Sequence, residues 1–261
     1  MTFREVTIGP CRLINADARD VLPTLANVDL VVTDPPYGET SLEWDSRVNW
    51  QSLAASALKD SGSMWVFGSL RHFMESAEEF RGWALAQDLL WEKHNGSNAF
   101  ADRFRRVHEH AAQFYKSGTA WSSVFKNPLF TNDATARTVR RKKRPPQWGE
   151  IGESSYESHD GGPRMMRSVM FCRSCHGFAI HPTQKPVETV LPLLEYSSQR
   201  SETVVDPFFG SGTTAVACIQ TGRAFIGSES DPVIFDAAVN RVRRAIENPP
   251  MVQRELIGVS E

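Results

Sequence analysis

The chain is short of cysteine, of long apolar runs and of net charge, and each shortage excludes something. Four cysteines in 261 residues are too few for a disulfide framework, which suits a reducing compartment. No apolar stretch approaches the roughly 20 residues of a membrane-spanning helix. The start, Met1-Thr2-Phe3-Arg4-Glu5, lacks the charged end and apolar centre of a signal peptide. A cytoplasmic protein without membrane contact is expected. A formal net charge of -2 leaves no uniformly basic surface, so contact with nucleic acid would have to come from clustered charge. Hydrophobic residues make up 41% of the chain, enough for one large domain or one domain carrying an insertion.

What is present begins with Thr33-Asp34-Pro35-Pro36-Tyr37. These residues close the short β-branched run Val28-Asp29-Leu30-Val31-Val32, which reads as a buried parallel strand with the motif at its carboxyl end. Two prolines in a row lack amide hydrogens and stiffen the backbone, so the Asp34 carboxylate and the Pro35 carbonyl form a rigid pair of acceptors. Such a pair suits an exocyclic amino group with two hydrogens to give, and Tyr37 offers a face on which a planar base can stack. An Asp-Pro-Pro turn leaving a strand is the competing explanation.

Around this motif, strands alternate with helices. Arg12-Leu13-Ile14-Asn15 reads as a strand, with Asp17 in the turn beyond it and a brief helical stretch over Val21, Leu22 and Leu25. Trp50 to Lys59 has helical periodicity, Met64-Trp65-Val66-Phe67 is a strand, Arg71 to Phe80 is helical and Leu89-Leu90-Trp91 is a strand again. The alternation predicts an α/β fold with a mostly parallel sheet covered on both faces.

From Arg103 basic residues gather ahead of a strand over His108 to Tyr115. His108-Glu109-His110 lacks the helical spacing of a zinc motif, so no metal is expected there. Residues 117–162 show little periodicity and carry Arg140, Arg141, Lys142, Lys143 and Arg144 ahead of two prolines. The run is either a solvated loop or a phosphate-contacting segment, and the interleaved Trp121, Phe125, Trp148 and Tyr156 favour nucleic acid. Cys172-Arg173-Ser174-Cys175-His176 matches a haem-attachment pattern, but without an export signal chance, or a buried pair of thiols, is the better account.

A second constellation follows. Thr203-Val204-Val205 runs into Asp206-Pro207-Phe208-Phe209-Gly210-Ser211-Gly212-Thr213-Thr214, after which a helix begins. The glycines permit a tight turn against a ligand, and the helix start supplies donors. Arg223-Ala224-Phe225-Ile226-Gly227 is the next strand, with Glu229 at its end, a spacing at which a carboxylate accepts bonds from ribose hydroxyls. A nicotinamide cofactor fits this pattern, but it leaves Asp34 and the basic insertion unexplained. A donor built from adenosine and methionine has no pyrophosphate and tolerates Asp206, which can face its ammonium. His181-Pro182-Thr183-Gln184-Lys185-Pro186 can offer Thr183, Gln184 and Lys185 to its carboxylate.

Taken together, DPPY at Asp34 to Tyr37, HPTQKP at His181 to Pro186 and DPFFGSGTT at Asp206 to Thr214 resemble the motifs of the amino-group DNA methyltransferases. Their order, with the catalytic motif first and the donor loop last, looks like the circularly permuted beta class. Asp17 falls where that class has an acidic residue ahead of the catalytic strand. Trp91 to Lys93 and Arg103 to Lys116 look like its later sheet motifs. The resemblance implies a seven-stranded Rossmann-like sheet, S-adenosylmethionine as donor, double-stranded DNA as substrate and a homodimer. It implies a catalytic half over residues 1–116, a target-recognition insertion over 117–165 and a donor-binding half over 166–261. Asp34, Pro35, Pro36 and Tyr37 become the catalytic residues. Asp17, His181, Thr183, Gln184, Lys185, Asp206, Phe208, Gly210, Ser211, Gly212, Thr213 and Glu229 become the donor site, with Lys185 and Thr183 on the methionine carboxylate. An aspartate opening the first motif points to adenine N6, with cytosine N4 as the alternative.

Overall fold

The computed structural model of the protein describes residues 3–38, 47–97, 102–141, 154–175 and 184–248. The described residues fall into two units, the first within 1–127 and 168–248 and the second within 128–167. Residues just after 116 are tied into the first. Trp121 lies against Tyr115 with ring centroids 5.2 Å apart, and the Phe125 amide donates to the Ser61 carbonyl.

The first unit is built on one sheet. In chain order its strands are β1 (Arg4–Ile8), β2 (Cys11–Asn15), β3 (Val28–Thr33), β4 (Leu58–Gly68), β5 (Trp83–Ser97) and β6 (Arg106–Lys116), then β11 (Val169–Phe171), β12 (Thr203–Asp206) and β13 (Ala224–Glu229). Their order across the sheet is β1-β2-β13-β12-β3-β4-β6-β5-β11. Among the described residues the sheet has nine strands, against the seven that the resemblance implies. Its edge strands are β1 and β11. β1 folds back antiparallel onto β2 through Gly9, at φ +53°, and β11 adds parallel to β5. Both edge strands are short and contain polar or exposed positions, which is why the strand signal missed them. Among the described strands of this sheet, β1 and β6 run against their neighbours, while β2, β13, β12, β3 and β4 pair in parallel.

Parallel strands need crossovers, and the helices supply them on both faces. On one face α4 (Val187–Ser197), α5 (Thr213–Thr221) and α6 (Pro232–Glu247) cover Leu13, Leu30, Val32, Trp65 and Val204. On the other, Leu22, Trp50 and Ala54 cover Val28, Val31, Met64, Val66 and Val205, with α2 (Gln51–Ala57) crossing from β3 to β4. Trp65 and Phe67 point to the first core while Met64 and Val66 point to the second, as the period of a strand requires. The short α1 (Ala18–Val21) and α3 (Leu70–Glu75) follow β2 and β4. Among the described residues no helix is long and apolar enough to cross a membrane.

The second unit holds two small ladders, β7 (Phe130–Thr131) with β10 (Arg164–Met165), and β8 (Arg137–Arg141) with β9 (Ser154–Ser158). An ion pair between Arg164 and Asp133 at 2.5 Å joins its own segments.

Leu30 is wholly buried at the centre of the sheet. Replacing it with alanine should cost about 2–5 kcal/mol, because removed contacts and a residual cavity add. Urea denaturation followed by far-UV circular dichroism measures the loss, and a cost below about 1 kcal/mol would contradict this packing.

Candidate active site

The two glycine- and proline-rich motifs meet because their strands are neighbours. β3 and β12 pair in parallel with Leu30 opposite Val204 and Val31 opposite Val205, so Asp34 and Asp206 leave adjacent carboxyl ends. The helices after the two strands depart to opposite faces, and the crevice that opens there is the usual ligand position in such a sheet. Thr33 Oγ1 donates to Asp206 Oδ1 at 2.8 Å and closes the bottom of the crevice.

At the Asp34 side the structure assembles four charges in alternation. Lys185 Nζ lies 2.5 Å from Asp34 Oδ2 and 2.7 Å from Glu109 Oε1, and Lys93 Nζ lies 2.6 Å from Glu109 Oε2. Lys185 also sits over the Phe67 ring, 5.2 Å from its centroid, and Lys93 over Trp91 at 4.6 Å. Asp34 Oδ1 is buried and has no hydrogen-bond partner among the described residues. Enclosure raises the Asp34 carboxyl above the ordinary carboxylate range, with Lys185 opposing the rise and Glu109 adding to it. Burial works to raise Glu109 as well, but Lys185 and Lys93 hold it down to about 2. Burial would strip the proton from Lys185, and Asp34 and Glu109 more than reverse this, so the ammonium stays charged. Asp34 thus has one oxygen fixed and one uncommitted.

The sequence analysis expected Lys185 as a counter-ion for a donor's carboxylate, and the structure places its ammonium between the carboxylates of Asp34 and Glu109. Glu109 carries no role in the sequence analysis beyond the rejected metal motif. Its signal was available: Glu109, Ala111 and Gln113 alternate along β6 and are all buried, so a carboxylate stands in the inward row of a strand.

Tyr37 lies beside this group with its ring 4.9 Å from that of His72, tilted by 34°. Pro35 is buried and Pro36 half-buried. His181 and Thr183 lie outside the described residues, and Gln184 is half-buried beside Lys185.

At the Asp206 side the loop is folded as its glycines require. Gly210 and Gly212 have φ of +46° and +79°, the left-handed region that suits a residue without Cβ, and Gly212 precedes the first turn of α5. Glu229 Oε2 accepts from the Gly210 amide at 3.1 Å, and its Oε1 accepts from the Asp231 amide at 2.9 Å. The carboxylate at the end of β13 is therefore in contact with the loop. Burial raises the Glu229 carboxyl against those two amide bonds. Thr213 Oγ1 donates to the Lys185 carbonyl at 3.0 Å, linking the donor loop to the segment ahead of α4.

Asp206, expected as a group that can face a donor's ammonium, stands at the base of the crevice. It is buried and accepts from Thr33 Oγ1, from Thr214 Oγ1 at 2.7 Å and from the Phe208 amide at 3.2 Å. Burial lifts its carboxyl up to about 7 in spite of these bonds. Phe208 packs edge-on against Trp50, with centroids 5.7 Å apart. Asp17 caps α1 and takes three bonds from Arg19, so both its oxygens are engaged locally. One residue was missed altogether: Arg241 of α6 donates through Nη1 to the Ser211 carbonyl, Ser211 Oγ and Thr213 Oγ1 at 3.0–3.1 Å. Burial beside the loop depresses its pKa.

Of the basic run, Arg140 is exposed on β8 opposite Ser155, and β8 ends at Arg141. Lys142, Lys143 and Arg144 lie outside the described residues.

Comparison with known proteins agrees with this architecture. The profile of the DNA methylase family, covering N6 and N4 enzymes, matches residues 28–240. The type II methyltransferase M.HinfI of Haemophilus influenzae is 28% identical over 270 aligned positions, covering 91% of this chain and 69% of its own. Two solved structures share the fold. The complex of M1.HpyAVI with SAM superimposes with a TM-score of 0.61 at 24% identity, covering 88% of this chain and 99% of that one. The cytosine-N4-specific PvuII DNA methyltransferase gives 0.63 at 16% identity, covering 90% and 87%. With most of its length matched, including both motif strands and the crevice between them, the chain belongs to the N6/N4 DNA methylase family.

Proposed function

We propose that the protein moves a methyl group from S-adenosylmethionine to the N6 amino group of adenine in double-stranded DNA. The observation that carries this reading is the divided Asp34 carboxylate, with Oδ2 held by Lys185 and Oδ1 buried without a partner among the described residues. An exocyclic amine on an aromatic base is a poor nucleophile because its lone pair is delocalised into the ring. Asp34 Oδ1 and the Pro35 carbonyl accept its two hydrogens, localise the lone pair on nitrogen and aim it. Once the nitrogen is methylated its proton becomes acidic, and Asp34, with a raised pKa, is suited to take it. The base reaches this carboxylate only by leaving the duplex, and Tyr37 replaces part of the lost stacking.

The donor-loop side fits S-adenosylmethionine, which supplies an electrophilic methyl on a positively charged sulfur. Glu229, already in contact with the loop, is the acceptor for ribose hydroxyls. The amides at the start of α5, with Ser211 and Thr213, suit the methionine carboxylate, and Arg241 supplies a nearby positive charge. Cytosine N4 is the second reading, favoured by the likeness to the PvuII enzyme. Its amine presents the same two hydrogens to the same acceptors. The aspartate that opens the motif supports adenine.

Asp34→Ala should abolish methyl transfer to duplex DNA while the dissociation constant for S-adenosylmethionine, measured by isothermal titration, stays within about twofold. Loss of both would make Asp34 a structural residue. Mass analysis of nucleosides from treated duplex should show N6-methyl-2′-deoxyadenosine, and N4-methyl-2′-deoxycytidine would move the assignment to the second reading. For the recognition segment, replacing Arg140, Arg141, Lys142 and Lys143 together with alanine should weaken duplex binding and flatten its dependence on salt. Each lost phosphate contact takes about 0.9 from the log–log slope, and an unchanged slope would remove the segment from the interface.

A further inference from the structure

The ion chain behind Asp34 has more members than a simple pair needs. Lys185 and Glu109 are each buried, each with side-chain exposure of only 10%. Removing two such charges from water is costly unless each is matched. A lone lysine on Asp34 could swing between the two carboxylate oxygens, and an ammonium on both would occupy the position the target amine needs. Glu109 prevents this. It draws Nζ toward β6, on the Oδ2 side, and Lys93 fixes the other Glu109 oxygen from β5. β5 and β6 are antiparallel neighbours with Trp91 opposite Glu109, so Glu109 sits in the paired ladder, and Lys93 follows on β5 directly after the paired Glu92, where the register shifts.

We propose that Glu109, braced by Lys93, is a positioning residue that seats the Lys185 ammonium against Oδ2 of Asp34 and so keeps Oδ1 open to the target amine. This rests on the reading of Asp34 as acceptor for that amine. Glu109 touches neither base nor donor in this account and acts only through Lys185.

The charges around Asp34 give the proposal a signature beyond loss of rate. Facing it are Lys185 ahead of α4, Glu109 on β6, Lys93 on β5 and Asp206 on β12, with Tyr37 beside Lys185. Transfer requires Asp34 as a carboxylate, so the acid limb of the kcat/KM profile follows its ionisation. Glu109 is a like charge that raises the Asp34 pKa, and Lys185 and Lys93 are opposite charges that lower it. Glu109→Gln should therefore move the acid limb to lower pH, whereas Lys185→Met and Lys93→Met should move it to higher pH.

The test is single-turnover methylation of an oligonucleotide duplex between pH 5 and 9, with S-adenosylmethionine binding measured alongside by isothermal titration. For Glu109→Gln the expected result is a transfer rate lower by roughly 10²-fold, as for a misplacement of about 1 Å, with donor affinity unchanged and the limb shifted down. A wild-type rate and limb position in Glu109→Gln would overturn the proposal. So would limbs that move the same way in Glu109→Gln and Lys185→Met. If Glu109→Gln also lost donor binding, Lys93→Met decides, since Lys93 is the more accessible brace: a slower rate with the limb moved up supports the role, and an unchanged profile overturns it. Absence of transfer by the wild-type protein to any duplex would instead remove the methylation reading itself.

Discussion

The parallel pairing of β3 with β12 is the constraint from which the rest of the site follows. It sets the carboxyl ends of two strands side by side although Thr33 and Asp206 are 173 positions apart. One strand delivers a rigid acceptor pair, the other a glycine loop and a helix start. Buried hydrogen bonds from Thr33 and Thr214 to Asp206 fasten the two ends together at their base. A carboxylate in that position is better understood as a joint than as a ligand group, since its bonds run to β3, to α5 and to its own loop.

Electrostatics then decide how the crevice is used. Positive and negative groups alternate from Lys93 through Glu109 and Lys185 to Asp34, so each interior charge is flanked by its opposite. Such a chain offsets the desolvation of its members far better than an isolated pair would. Its free end is Asp34 Oδ1. On the opposite wall Glu229 and Arg241 both bond to the loop residues, which holds the loop in a left-handed conformation that only glycine adopts at low cost. In the proposed mechanism such fixed contacts on both sides of the crevice serve catalysis by positioning.

Much of this was legible along the chain. The strands over Val28–Thr33 and Thr203–Asp206, the helical stretch after Trp50 and the loop at Gly210 to Gly212 are carried by local pattern: β-branched runs, helical periodicity and turn chemistry. The edge strands β1 and β11 were not, because short strands with polar or exposed positions lack that pattern. Nor was the part played by Arg241, which depends on contacts between distant segments.

Lys185 shows where the boundary lies. Its motif and its position ahead of the donor loop are properties of the sequence, and they suggested a partner in the donor. Its actual partners, Asp34 at 151 positions' distance and Glu109 on a strand of its own, were decided by the order of the strands across the sheet. By itself the sequence determined which elements form and which chemical groups stand at their ends, because propensity and periodicity act over a few residues. Only the tertiary structure decided which charge faces which, because ion pairing depends on distances that arise when the strands are laid side by side.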